Sequence, residues 1–318
     1  MKKFRLSILL LVLALVLAIV PAVLAQDTLG ASQDDYNLWT SANASFATVT
    51  TASYSFTAKL AVAGMSDPTE NVTANLSGTG AFDKTDPNNP AFQLDVTGSY
   101  AQGTQSTNIN MGVRITGGNL YYTQDGTNWT GMKLSDAMSS FGQGFAQGAG
   151  ISPTEVSSEG LSNLMSDPQA QQMMAALSQL KLSDFLTLTR SDNNGKTHFN
   201  LNIDIAKLLS SPSFQSMMST MASSASGEAA TEAADAQQQL AMAQMLFSTA
   251  KINLDQDVDP STNMVTETVL DLNVPLDSIM GPGAGVTANF DISFSNYNQP
   301  VTVTAPANAT MTDTSSGS

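Results

Sequence analysis

Strict alternation of apolar and polar residues constrains this chain more than any motif does. In Thr107–Leu134 (TNINMGVRITGGNLYYTQDGTNWTGMKL), Ile109, Met111, Val113 and Ile115 alternate with Asn108, Asn110, Gly112 and Arg114. That period of two belongs to a strand with one buried face. Gly117-Gly118 and Asp125-Gly126 supply residues suited to two-residue hairpin turns, so the stretch reads as three strands in a meander. The pattern recurs on both sides. Tyr54, Phe56, Ala58, Leu60 and Val62 share a face, as do Val72, Ala74, Leu76, Gly78, Gly80 and Phe82. Phe92 to Tyr100 and Val286 to Phe294 repeat it, with mostly Ser, Thr, Asn, Gln or Asp between. One apolar and one wet face imply antiparallel pairing.

Helical spacing interrupts the strands in a few places. Asp34 or Asp35 can cap a helix whose apolar side is Leu38, Ala42, Phe46 and Val49, after a short flexible lead from Gln26 to Gln33. Residues 166–181, 211–222 and 228–249 form a helical block, divided by a hairpin of Phe185–Arg190 and Thr197–Ile203 about Asn194-Gly195. DQDVDPSTN (Asp255–Asn263) reads as a loop, and strands resume with Met264–Leu272. A sheet this long must twist and curl. The expected fold is therefore α+β: a strongly curved antiparallel β half-barrel with helices packed on the concave face. It forms a single domain over 34–306, followed by a disordered polar tail over 307–318.

The leading residues read as a targeting segment. Lys2, Lys3 and Arg5 precede an apolar run from Leu6 to Val20, then Pro21 and Val23-Leu24-Ala25. This predicts a signal peptide over 1–25, cleaved after Ala25, and an extracytoplasmic protein. The alternative is an uncleaved membrane anchor. The chain has no Cys, which excludes disulfide scaffolds and thiol chemistry, so a hydrophobic core must supply stability. Its formal charge is −15, and the leader contributes only basic residues, so the remainder is more acidic still. That argues against nucleic acid as a partner.

Catalytic signals are weak. The chain's one His, His198, alternates out of register with Phe199, Leu201 and Ile203 and so falls on the solvent face. One His and no Cys leave zinc without its preferred ligands. Asp255, Asp257 and Asp259 imitate a calcium loop, but Pro260 and Thr266 stand where that loop needs Gly and Glu. No G-x-S-x-G elbow occurs. The reading is non-enzymatic, with no cofactor and no metal.

The helix leading into TTASYSF, the small residues of LSGTGAF, GGNLYYTQDGTNW and the closing FDISFSNYNQPVTVTAP together resemble the LppX/LprG-type envelope lipoproteins, whose fold is shared with the LolA/LolB carriers. The resemblance covers about residues 34–306. It implies a half-barrel that holds lipid or acyl chains between sheet and helices, in carriage or sensing at the envelope. The lipid-anchoring Cys of that group is missing here, and the helical block is Met-rich and enlarged.

Ten of the 16 methionines lie between Met132 and Met245. Met suits surfaces that must fit varied apolar partners. Opposite small residues (Ala58, Ala74, Gly78, Gly80, Gly98), such side chains leave room for a lipid. The expected cavity is lined by Met173, Met174, Leu177, Phe214, Met217, Met218, Met221, Leu240 and Phe247. The expected function is binding of a lipid or acyl chain, with a transient envelope-membrane or protein partner. The alternative is a secreted interaction module with a packed core and no lipid.

Overall fold

Period-two patterning can make one sheet only if distant strands pair with their apolar residues in register, and they do. The computed structural model describes residues 27–65, 67–137, 181–193, 195–212, 214–215, 247 and 249–312. Its strands are β1 (Thr51–Ala63), β2 (Val72–Asp83), β3 (Ala91–Gln102), β4 (Gln105–Thr116), β5 (Asn119–Thr123) and β6 (Thr130–Lys133). These are followed by β7 (Leu186–Asn193), β8 (Lys196–Ile203), β9 (Lys251–Asp259), β10 (Met264–Pro275), β11 (Gly285–Ser295) and β12 (Thr310–Met311). All belong to one 12-stranded open sheet, in the order β12-β6-β5-β4-β3-β2-β1-β11-β10-β9-β8-β7. Every pairing is antiparallel except β12 on β6. A single open, almost wholly antiparallel sheet is consistent with the expected half-barrel. Most of the predicted helical block lies outside the described residues.

The register lines up whole rows. Leu186, Ile203, Ile252, Leu272, Ala288, Leu60, Ala74 and Tyr100 stand opposite one another in turn from β7 to β3. The adjacent row runs Leu188, Leu201, Leu254, Leu270, Phe290, Ala58, Leu76, Gly98 and Ile109. These residues define the apolar face, and their sequence neighbours define the polar face. One irregularity, between Val265 and Glu267, shifts the register of β10 against β9.

Helix α1 (Gln33–Ala47) begins where Ser32 accepts a bond from the Asp35 amide, with Asp34 and Asp35 at the positive end of the helix dipole. It buries Tyr36, Trp39 and Ala42 against the β7–β10 end of the apolar face. The aromatic pair Tyr36 and Trp39, and not Leu38, leads this contact. The Trp39 indole N–H donates to Gln256 Oε1 at 2.6 Å, and Asn43 bonds the same amide. The short α2 (Ile205–Ser210) adds Ile205, Leu208 and Leu209 to this core. A third short helix, α3 (Asp277–Met280), precedes β11.

Several sequence expectations are corrected. The lead is not loose throughout: Leu29 is fully buried, and its carbonyl accepts from Leu188 on the edge strand β7. Asp255–Asp259 are strand, and the turn is confined to Pro260–Asn263, because the Asp side chains find partners on the polar face. Gly117-Gly118 form the expected tight turn with both φ positive. Asp125-Gly126 instead sit in a longer loop, where the Asp125 carboxylate accepts from the amides of Thr127 and Asn128. The stretch read as a tail supplies β12 at Thr310–Met311.

Removing the Gln256 amide strands a buried indole N–H. Gln256→Leu is expected to lower stability by about 1–3 kcal/mol in urea denaturation. Adding Trp39→Phe removes the orphan donor, so the double variant should lose less than the two single losses added.

Candidate functional site

The apolar face is covered unevenly. At the β7–β10 end most of its apolar side chains are buried beneath α1, α2 and the lead, with Leu254, Leu270 and Leu272 half-buried. Further along, Phe290 (37% exposed), Leu60 (40%), Tyr100 (37%) and Met111 (41%) are open on the same face of β11, β1, β3 and β4. They make up four of the five exposed large apolar side chains among the described residues. Single exposed hydrophobics are unremarkable; these four share one face of neighbouring strands, with β2 between β1 and β3.

The floor of this region is filled. A Cβ built on Gly78 would strike the Phe56 ring, and one on Gly80 the Tyr54 ring. One on Gly98 would strike the β2 backbone at Asn75. The glycines therefore leave no empty volume; they let aromatic rings and backbone lie flat against them, which corrects the expectation of room. Phe56 and Phe290 (5.7 Å between centroids), Tyr54 and Phe92 (6.3 Å) and Phe294 with Phe46 of α1 (4.7 Å) extend this aromatic surface. The Tyr54 hydroxyl donates to the Gln93 carbonyl, and burial pushes its pKa up to about 12.

Of the predicted cavity residues, Phe214 and Phe247 are described. Both are buried members of the core cluster that also holds Leu208, Ile252 and Trp39. Met173, Met174, Leu177, Met217, Met218, Met221 and Leu240 lie outside the described residues. The exposed residues Leu60, Tyr100, Met111 and Phe290 were assigned to the apolar face by alternation. Their openness depends on what covers the sheet, which alternation does not encode.

The polar face carries two features. His198 of β8 stands opposite Asp257 of β9, with Nδ1 2.9 Å from Asp257 Oδ1 and Nε2 3.1 Å from Asp255 Oδ1. Two carboxylates on one ring are satisfied only by the imidazolium, which donates from both nitrogens. The hydrogen bond to Asp257 is the largest cause holding the His198 pKa above its ordinary value, and Asp255 adds to it. With both nitrogens taken, the ring has no free atom to act as a base. Lys196 (3.2 Å from Asp257) and Asn200 (2.8 Å from Asp255) complete the network. The second feature is an open hollow of about 590 Å³ around Lys59, Asp271 and Lys251. It lies on the opposite side of the sheet from the expected lipid cavity.

Nearer β6 the polar face is itself packed. Arg114 makes two 2.8 Å bonds to the Asp95 carboxylate, and Trp129 covers its guanidinium at 5.1 Å. Met311 of β12 lies against Gly131.

No family model matches the chain, and no curated protein matches it. Among solved structures it is similar to the crystal structure of LprF from Mycobacterium bovis. The match has a TM-score of 0.35 at 10% identity and covers 87% of this chain and 99% of that one. A TM-score of 0.35 supports no inference about ligand, so function rests on this chain's own residues. Among the described residues no helix is long and apolar enough to cross a membrane.

The His198 network predicts a pH dependence. Its folded pKa is raised above the unfolded value, so its stabilisation is complete below about pH 6.5 and is lost as pH rises through the folded pKa. Thermal unfolding followed from about pH 6 to 9 should show a fall in melting temperature that is smaller in His198→Gln.

Proposed function

We propose that the chain binds an acyl chain or similar lipid hydrocarbon on the open apolar face of β11, β1, β2, β3 and β4, without catalysis. In this reading it carries or senses lipid outside the cytoplasm, at the cell envelope. The observation that carries it is the exposure of Leu60, Tyr100, Met111 and Phe290 on a face whose other apolar residues are buried or half-buried. Each methylene moved from water to such a surface gains ~0.8 kcal/mol, so a flat apolar floor binds a long chain without special chemistry. The segments 166–181, 211–222 and 228–249, with Met173, Met174, Leu177, Met217, Met218, Met221 and Leu240, form the opposite wall in this proposal.

One observation favours a second reading. Phe214 and Phe247 are core residues, as they would be if the helical block simply closed a packed core. Enlargement separates the two. In a packed core, Met217→Trp or Met218→Trp overfills the space and costs roughly 1–3 kcal/mol of stability. In a lipid site the same change displaces ligand and leaves the ligand-free protein near its original stability.

Native mass spectrometry of the purified chain should reveal co-purifying acyl lipid. Leu60→Asp and Met111→Glu change exposed positions, so each should shift stability by less than about 1 kcal/mol while clearly reducing the lipid bound. Lipid-free protein, or lipid content unmoved by both variants, would reject the site.

A further inference from the structure

The polar face should be only a solvated surface if the sheet has one working side, yet it holds the hollow of about 590 Å³. That volume is in the range of small-molecule sites. Two adjacent register rows build it. One runs Asn75, Lys59, Asn289, Asp271 and Asn253 from β2 to β9. The other runs Thr73, Ala61, Thr287, Asn273 and Lys251 across the same strands. All ten residues line the hollow, together with Leu60, Ala288 and Leu272 of the row between them. Ala61 is the smallest of the ten, placed between Thr73 and Thr287.

Charge distinguishes this surface. In a chain of net charge −15, the hollow holds Lys59 on β1 and Lys251 on β9, in neighbouring rows and on strands three apart, so about 14 Å across the sheet. Neither has an ion-pair or hydrogen-bond partner among the described residues. Each side chain is long enough to lean inward over a ligand lying between them. Asp271 is tied to Asn289 Nδ2 at 2.7 Å, and Asn253 Oδ1 accepts from Asn202 at 2.7 Å. Those bonds fix the amides so that Asn289 offers its oxygen and Asn253 its NH₂ group to the hollow. The surface thus presents two ammonium groups, the Asn289-bound Asp271 carboxylate, and fixed amide and hydroxyl donors and acceptors, so ammonium groups outnumber carboxylates by two to one. Anionic groups satisfy the lysines; hydroxyls satisfy the amides.

We infer that this hollow is a second binding site, separate from the apolar face, for an anionic hydroxyl-rich molecule such as a phosphorylated sugar or polyol. The same chemistry occurs in a soluble sugar phosphate and in the headgroup of an inositol lipid.

Two arms of one experiment identify the source. Glucose 6-phosphate is titrated into the purified chain by calorimetry, and the chain is sedimented with phosphatidylcholine vesicles with and without phosphatidylinositol. Saturable binding is expected in at least one arm. A charge-assisted hydrogen bond is lost with each lysine, so Lys59→Gln and Lys251→Gln should each weaken binding about tenfold or more. Lys133→Gln removes another lysine, on β6 and away from the hollow, and should leave binding unchanged. Circular dichroism melts check that the surface variants stay folded. No binding in either arm overturns the site. So does equal weakening by Lys133→Gln, which would show unspecific charge attraction. Inorganic phosphate binding as tightly as glucose 6-phosphate would overturn recognition of the hydroxyls.

Discussion

The pairing of β1 with β11 holds the molecule together. β1 through β6 build outward in one direction and β11 back through β7 in the other, so the two blocks share a sheet only along this seam. The seam runs from Ser53 opposite Ser295 to Ala63 opposite Gly285 without a break. A slip of one residue here would turn every apolar side chain of one block toward the polar face of the other. Phe56 beside Ile292, Ala58 beside Phe290 and Leu60 beside Ala288 oppose such a slip, as do Lys59 beside Asn289 and Thr57 beside Asp291 on the other side. Closing so long a loop is slow and entropically unfavourable, and the length of the paired seam offsets that.

Once the seam is set, the two faces acquire different work. The β7–β10 end meets α1, α2 and the buried lead, and forms a closed core around Trp39, Phe199 and Leu201. The central strands keep the same apolar character with less cover, and there the sheet can serve as a surface as well as a core. The polar face is ordered by charge. The His198 network with Asp255 and Asp257 and the Arg114 clamp on Asp95 fix local geometry, while Lys59 and Lys251 remain without such a partner among the described residues.

Much of this was legible in the sequence. Alternation assigned Tyr54 to Val62, Val72 to Phe82, Phe92 to Tyr100 and Val286 to Phe294 to the right faces, and it put His198 on the polar one. It could not pair strands far apart in the chain. Asp255 and Asp257 therefore looked like loop residues when they are the partners of His198. The Trp39–Gln256 bond was hidden for the same reason, since a Gln among apolar strand positions announces no partner 217 residues away. Gly78 and Gly80 suggested space because composition does not reveal that the Phe56 and Tyr54 rings lie over them. Thr310–Met311 is too short to carry a period, and its place on β6 depends on tertiary contacts alone.

The central claim is that hydrocarbon lies on the apolar face of the central strands. Photolabelling with a fatty acid that carries a diazirine in its chain, followed by peptide mass spectrometry, tests it at residue level. The account predicts adducts on peptides containing Leu60, Tyr100, Met111 and Phe290, competed by unlabelled fatty acid. Labelling that spares those peptides, or that unlabelled fatty acid fails to compete, would contradict it.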